Sequence, residues 1–162
     1  MDISLEVVTD EGLIKSIMFR PEIWEAVAED DLEQHEYFIE PNDLWLGVFL
    51  ESELIGLFRF HVMNGVTLQV HIHILPEHRG KYAMKAAKDM WKWFLSGTNI
   101  NKDFVKVITS VPVIWPRVKK FAEINGFIEE GLNRMSYKKN GIIVDQWMLG
   151  ITLQEIEGQA NE

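Results

Sequence analysis

Val70-His71-Ile72-His73-Ile74-Leu75-Pro76-Glu77-His78-Arg79-Gly80-Lys81-Tyr82-Ala83-Met84 is the stretch whose reading decides the fold. It opens as an apolar strand and breaks at Pro76, which has no backbone N–H to give to a ladder. A short polar loop with one glycine follows, then a lysine-rich helix. A strand, a loop and a helix N-terminus in that order make an anion site. The first helical turn carries free N–H groups, and the helix dipole favours negative charge there. His71, His73 and His78 lie beside it. A phosphate-bearing cofactor is the kind of ligand such a site suits.

Upstream of this stretch, Leu44 to Leu50, Leu54 to Met63 and Val66 to Leu75 read as three antiparallel strands. Their connections are short, and Asn64-Gly65 is a two-residue hairpin signal. Before them come a first strand, Ile3 to Val8, and two helices. The first helix starts at Thr9-Asp10 and the second at Pro21. Downstream, Lys81 to Leu95 is the strongest helix, with Ala83, Ala87, Met90 and Phe94 on one face. Phe104 to Ser110 reads as a strand, and a helix then runs to about Ile124 and stops at Asn125-Gly126. Phe127 to Tyr137 and Ile142 to Ile151 flank the turn Lys139-Asn140-Gly141. The order is βαα-βββ-α-β-α-ββ. A helix between two consecutive strands implies a parallel crossover in a mixed α/β sheet with helices on both faces. Residues 1–153 form one domain, and 154–162 read as a polar C-terminal tail.

The chain has 162 residues, 47% hydrophobic and 11% aromatic, enough for one substantial core. There is no cysteine, so thiol nucleophiles and zinc–cysteine sites are excluded. No apolar run approaches the roughly 18 residues of a membrane span. The N-terminal residues lack the pattern of a signal peptide, so a cytoplasmic protein is expected. The net charge of −9 speaks against nucleic acid as a partner. The charge is also unevenly spread. Residues 1–60 hold 15 Asp/Glu against Lys15, Arg20 and Arg59, whereas 78–120 hold ten Lys/Arg against Asp89 and Asp103. A basic middle suits a polyanionic cofactor and an acidic first part suits a cationic acceptor. The bland alternative is an unevenly charged solvated surface.

With this order in place, the chain resembles the GCN5-related N-acetyltransferase superfamily, most closely the branch that acetylates protein N-termini and small amines. Short virus-encoded relatives share the look. Pro76-Glu77-His78-Arg79-Gly80-Lys81 resembles that family's pyrophosphate loop. Val118 to Phe127 is similar to its helix ending in Gly-Phe, and Glu130 to Arg134 with Gly141 to Asp145 to its last hairpin. The resemblance implies a single-domain, mainly antiparallel twisted sheet and acetyl-CoA as co-substrate. It implies cofactor contacts from Ile74, Leu75, Arg79, Gly80, Lys81, Tyr82, Ala83 and Met84. Tyr82 and Met84 stand where the family carries glycine or alanine, and Trp115 where this branch often carries asparagine. No tyrosine lies between Trp115 and Asn125 to protonate a leaving thiolate.

Gln69, His71 and His73 share strand parity and so one face. They are the candidate catalytic residues: either histidine as acceptor of the amine proton near neutral pH, and Gln69 to orient water. The alternative is a neutral pair that merely covers the sheet. A His-x-His metal site lacks a third ligand at suitable spacing, so no metal is expected. The implied reaction is direct attack of a primary amine, small-molecule or peptide and cationic, on the thioester. Trp91, Trp93 and Trp115 read as core or interface rather than a ligand box, and a homodimer is among the expected partners. The alternative function is a binding or assembly protein that keeps the fold and has lost the chemistry.

Overall fold

The computed structural model describes residues 2–97 and 103–162; residues 1 and 98–102 of the expected 1–153 domain lie outside the described residues. The elements are β1 (Ile3–Val7), α1 (Glu11–Met18), α2 (Pro21–Val27), β2 (Leu44–Leu50), β3 (Glu53–Val62), β4 (Thr67–Ile74), α3 (Pro76–Leu95), β5 (Lys106–Pro112), α4 (Pro116–Ile124), β6 (Ile128–Lys139), β7 (Ile142–Thr152) and α5 (Leu153–Ala160). A single 3-10 turn, Gln34–Glu36, lies between α2 and β2.

The start signals read from sequence hold. Asp10 caps α1, its carboxylate accepting from the N–H groups of Gly12 and Leu13. Pro21 sits in the first turn of α2. Asn64 closes the β3–β4 hairpin by accepting from Val66 and Thr67 N–H. Gly126 follows α4 with φ +99, a conformation that favours glycine.

The strands form one sheet in the order β1-β2-β3-β4-β5-β7-β6. Every neighbouring pair is antiparallel except β4 and β5, the pair that α3 connects. Each face carries its own core. On one, α3 buries Tyr82, Ala86, Met90, Trp91 and Phe94 against Phe58, Phe60, Leu68 and Val107. On the other, α1 and α2 bury Ile14, Ile17, Met18 and Ile23 against Trp45 and Leu57. Burial of this apolar surface, at about 25 cal/mol per Å², holds the layers together.

Two expectations fail. The polar tail is a helix, α5, capped by Thr152 in a reciprocal box with Glu155, and Ile156 is fully buried. Its apolar signal is only Leu153, Ile156 and Ala160, so composition hid it, although Thr152-x-x-Glu155 is a helix-start pattern. The loop expected before α3 is absent as well. The helix starts at Pro76, whose fixed φ suits a first helical turn, and continues through Gly80 without a break.

Candidate active site

The site begins with a fault in the sheet. β4 pairs with β5 only at Thr67↔Lys106, Leu68↔Val107 and Gln69↔Ile108. Past Gln69 the two strands share no further pairing, while β4 stays bonded to β3 as far as Ile74. Among the described residues the β5-facing edge of Val70–Ile74 thus has no strand partner, and an extended, amide-bearing chain can pair with it.

The split opens on the α1/α2 face into a cavity of about 540 Å³. The register sets which side chains reach it. Arg59 lies directly opposite His71, His61 opposite Gln69, and Leu57 opposite His73. His71, Ser110 of β5 and Gln146 of β7 line the floor, and Arg59 and Tyr37 line one side. Tyr137 and the chain from Glu29 to Asp31 line the other.

The acidic stretch is held in place. Asp30 accepts from the N–H groups of Asn140 (2.8 Å) and Gly141 (2.7 Å) in the β6–β7 turn. Those bonds keep its carboxyl below the usual range. Nearby, the buried Lys139 donates to Ala28 O at 2.7 Å. A run that reads from sequence as a solvated loop is therefore tied over the cavity.

Beneath Arg59 lies a fully buried carboxylate. Asp43 Oδ2 accepts from Arg59 Nε at 2.5 Å, and its Oδ1 lies 2.6 Å from His61 Nδ1. The guanidinium lies 5.6 Å from the centre of the Trp45 ring. Tyr37 is wedged edge-on between Phe19 and Trp24. The hydroxyls of Tyr37 and Tyr137 are buried, and among the described residues neither has a hydrogen-bond partner. Burial pushes both up, Tyr137 to about 12 with Glu29, Asp30 and Glu25 adding to the effect, so both stay protonated donors at neutral pH.

Desolvation also governs the histidines. It pushes His71 down to about 4, with the Arg59 charge adding and Asp43 opposing. It pushes His73 down to about 3, with His71, Arg59 and Arg79 adding. Both residues are partly exposed, but desolvation and the neighbouring cations keep both rings neutral at pH 7. Such imidazoles accept hydrogen bonds well and hold a proton poorly.

The structure separates the remaining sequence candidates. His71 lines the cavity, His73 lies one strand repeat further on, and Gln69 marks the start of the split. Ile74 and Leu75 are buried in opposite cores. Arg79 turns back and donates from Nε to Ile74 O at 2.8 Å. Gly80 and Lys81 are exposed, and Lys81 Nζ lies 5.3 Å from the centre of the Tyr82 ring. Tyr82 points into the core, Ala83 packs against it, and the exposed Met84 receives the Asn125 amide on its sulfur. The N–H groups expected to face an anion from residues 80–84 lie inside a helix, where they bond carbonyls four residues back. In the first turn, His78 N–H bonds Leu75 O. The Glu77 carboxylate takes its own N–H, and Arg20 holds it at 3.2 Å.

Arg59, Tyr137, Ser110 and Asp43 were not among the sequence candidates, whereas Tyr37, with Trp24 and Trp45, falls in the segment read as facing the acceptor side, with a core role preferred. One signal was available for Arg59: it is the only Lys or Arg between residues 21 and 78, set in the apolar strand Leu57-Phe58-Arg59-Phe60.

A family model described as a protein of unknown function, DUF2824, matches residues 7–157. Protein p31 of Acyrthosiphon pisum secondary endosymbiont phage 1 is 32% identical over 89 residues; the match spans 55% of this chain and 55% of the phage protein. Among solved structures, the spermidine N-acetyltransferase of Vibrio cholerae in complex with CoA and spermine superposes with a TM-score of 0.77. It has 21% identity and covers 96% of this chain and 98% of that one. Mutant forms of the spermidine/spermine N-acetyltransferase SpeG from the same organism give 0.76 at 20% identity, covering 98% of both chains. Likeness at this level of identity establishes the fold.

Proposed function

The chain belongs to the DUF2824 family and has the GCN5-related N-acetyltransferase fold, and from that premise we propose that it is an acetyl-CoA-dependent N-acetyltransferase acting on a cationic primary amine. The observation that carries the reading is the split between β4 and β5, which opens onto a cavity walled by carboxylates. Acetyl-CoA, when bound, supplies an activated acetyl thioester. The open edge of Val70–Ile74 would hold its amide-bearing arm. Lys81 beside Gly80, where a Cβ would meet nothing within 4 Å, would face its phosphates. Arg79 would join them on leaving Ile74 O.

On the acceptor side, Glu29, Asp30, Asp31 and Glu36 attract the ammonium form of the amine. The attacking form is neutral. His71 would accept a hydrogen bond from it and orient its lone pair, with His73 and Gln69 extending the polar row along β4. The displaced proton would leave through the open cavity to solvent, since an imidazole pushed down to about 4 does not retain it at neutral pH. We further propose that the protein is cytoplasmic and forms a homodimer across β6, an edge strand on which Leu132 and Met135 are exposed.

Calorimetric titration with acetyl-CoA, followed by CoA release in the presence of primary amines, tests the reading. Micromolar binding and amine-dependent release are expected. Absence of binding at millimolar acetyl-CoA would end it. One observation favours a second reading, a binding protein with lapsed chemistry: α3 leaves few free N–H groups for a pyrophosphate. Binding without release for any amine would select that reading.

A further inference from the structure

The open edge of β4 is not open along its whole length. Leu75 N–H bonds Ile55 O on the β3 side. The peptide is trans, so the carbonyl of the same unit, Ile74 O, points the opposite way, into the split. β5 does not reach it: its pairing with β4 ends at Gln69↔Ile108, and from there it runs on beside β7. Ile74 is buried, and a buried carbonyl normally finds a donor. Arg79 supplies one. It reaches back from the first turn of α3, with Nε 2.8 Å from Ile74 O. The guanidinium thus lies at the far end of the split, where its charge is felt by His73.

This bond sets a charged donor on an uncharged acceptor. The Glu77 carboxylate in the same turn is held by Arg20, and among the described residues Arg79 has no ion pair. The residue is otherwise exposed. A phosphate oxygen is a stronger acceptor for a guanidinium than a carbonyl is. The bond also withholds the last acceptor of the edge from any chain that would pair there. An extended amide-bearing arm and Arg79 therefore compete for Ile74 O, and an anion that engages Arg79 favours the arm.

We propose that Arg79 is a strap across the thioester's route: it closes the β4 edge at Ile74 O and yields to a thioester that carries phosphates of its own. The proposal rests on the acyl-transfer reading above and concerns how the thioester enters. Acetyl-CoA draws the strap aside with its phosphates as its arm pairs with β4. S-acetylpantetheine has the same amide-bearing arm and no phosphate, so it must break the bond with nothing to replace it. Its affinity is lowered by the fraction of molecules whose edge is closed. The strap therefore discriminates between the two by more than the lost phosphate contacts.

The test follows thiol release from acetyl-CoA and from S-acetylpantetheine on the intact protein, with a primary amine that supports release from acetyl-CoA. The chain has no cysteine, so a thiol-reactive dye reads only the released thiol. R79A should lose about tenfold in kcat/KM with acetyl-CoA and gain at least about threefold with S-acetylpantetheine. Millimolar inorganic pyrophosphate should raise the parent's turnover of S-acetylpantetheine at least about twofold and leave R79A unmoved. An arginine that only binds phosphate gives no gain with S-acetylpantetheine, and one that only braces β4 gives a loss with both thioesters. Either result overturns the proposal, as does pyrophosphate that lowers the parent's turnover of S-acetylpantetheine or leaves it unchanged. The acetyltransferase reading survives those outcomes. Absence of release from acetyl-CoA with every amine removes both.

Discussion

The cavity on the α1/α2 face, lined by His71 in the middle of β4, and the N-terminus of α3, which follows the end of that strand, treat their polar groups in opposite ways. At the cavity, two buried hydroxyls and the outer edge of Arg59 are without protein partners among the described residues. At α3, the His78 N–H, the Glu77 carboxylate and the Arg79 guanidinium all find partners within the protein. Buried polar groups are normally paired, so the first region is shaped for something it does not itself contain. The second is closed on itself, and a ligand there must compete with bonds already made. On the proposed function, recognition of the acceptor would then fall mainly to the first region.

The contrast breaks most sharply at Asp43. Both of its oxygens are committed, and the side chain is fully buried. Asp43→Ala leaves Arg59 and His61 without their common partner over Trp45 and should cost about 2–4 kcal/mol in urea unfolding. Acceptor discrimination should go with it. A loss below about 0.5 kcal/mol would mean that the cavity is not braced from beneath.

Acid should find the same region. His71 and His73 are pushed down to about 4 and about 3 in the fold, against about 6.5 in an unfolded chain. Above pH 6.5 neither state binds the protons and stability is indifferent to them. As pH falls from 6.5 toward 4, the unfolded chain binds protons that the fold refuses, so stability falls. Allowing for the rings' partial solvent contact, the loss is up to roughly 3 kcal/mol for the pair. His71→Gln with His73→Gln should flatten that part of the pH–stability curve. An unchanged curve would place the acid sensitivity elsewhere.

Local rules made much of the fold legible. Asn64-Gly65 announces a hairpin, the alanine and aromatic spacing announces the inner face of α3, and a strand–helix–strand order announces the one parallel pairing. The start of α3 was misplaced because Gly80 reads as a loop residue, yet it costs a helix only about 1 kcal/mol, which packing overrides. The histidine row was legible from period-two parity. Tyr37 reads only as a residue on the acceptor side with a core role preferred, and Arg59 and Tyr137 do not stand out at all, since the three come from distant segments and meet only through sheet register and a loop tied down by Asp30. Their unpaired hydroxyls are a property of three-dimensional surroundings that spacing does not carry.

A change of intermediate size should come from the His71 ring alone. His71→Ala should lower kcat/KM for amine acetylation by about 10-fold, because an acceptor of the amine's hydrogen bond is lost, while acetyl-CoA affinity stays within twofold. The activity of the parent should rise with pH as the amine deprotonates, with no inflection near 6.5, because the ring is already neutral there. An inflection at 6.5 that disappears in the variant would make His71 a titrating base and set aside the hydrogen-bonding role.

The smallest effect is expected at the closed end, and it asks whether that closure matters. Glu77 places a carboxylate where an incoming phosphate would sit. Its own N–H is the main cause of its low pKa, and Arg20 helps hold it. Glu77→Gln keeps the side chain's shape and removes its charge. The helix dipole then faces an uncompensated position, and Arg20 loses one of its two carboxylate partners, keeping Glu22 at 3.6 Å, and can meet an anion. Acetyl-CoA should bind two- to fivefold more tightly by calorimetry, with a steeper dependence on salt because one more protein charge becomes available. Dephospho-CoA, which keeps the pyrophosphate, should gain equally. If neither gains, the pyrophosphate does not approach the first turn of α3. The contrast between the two ends would then reflect two different ligand routes rather than one open and one closed end of the same route.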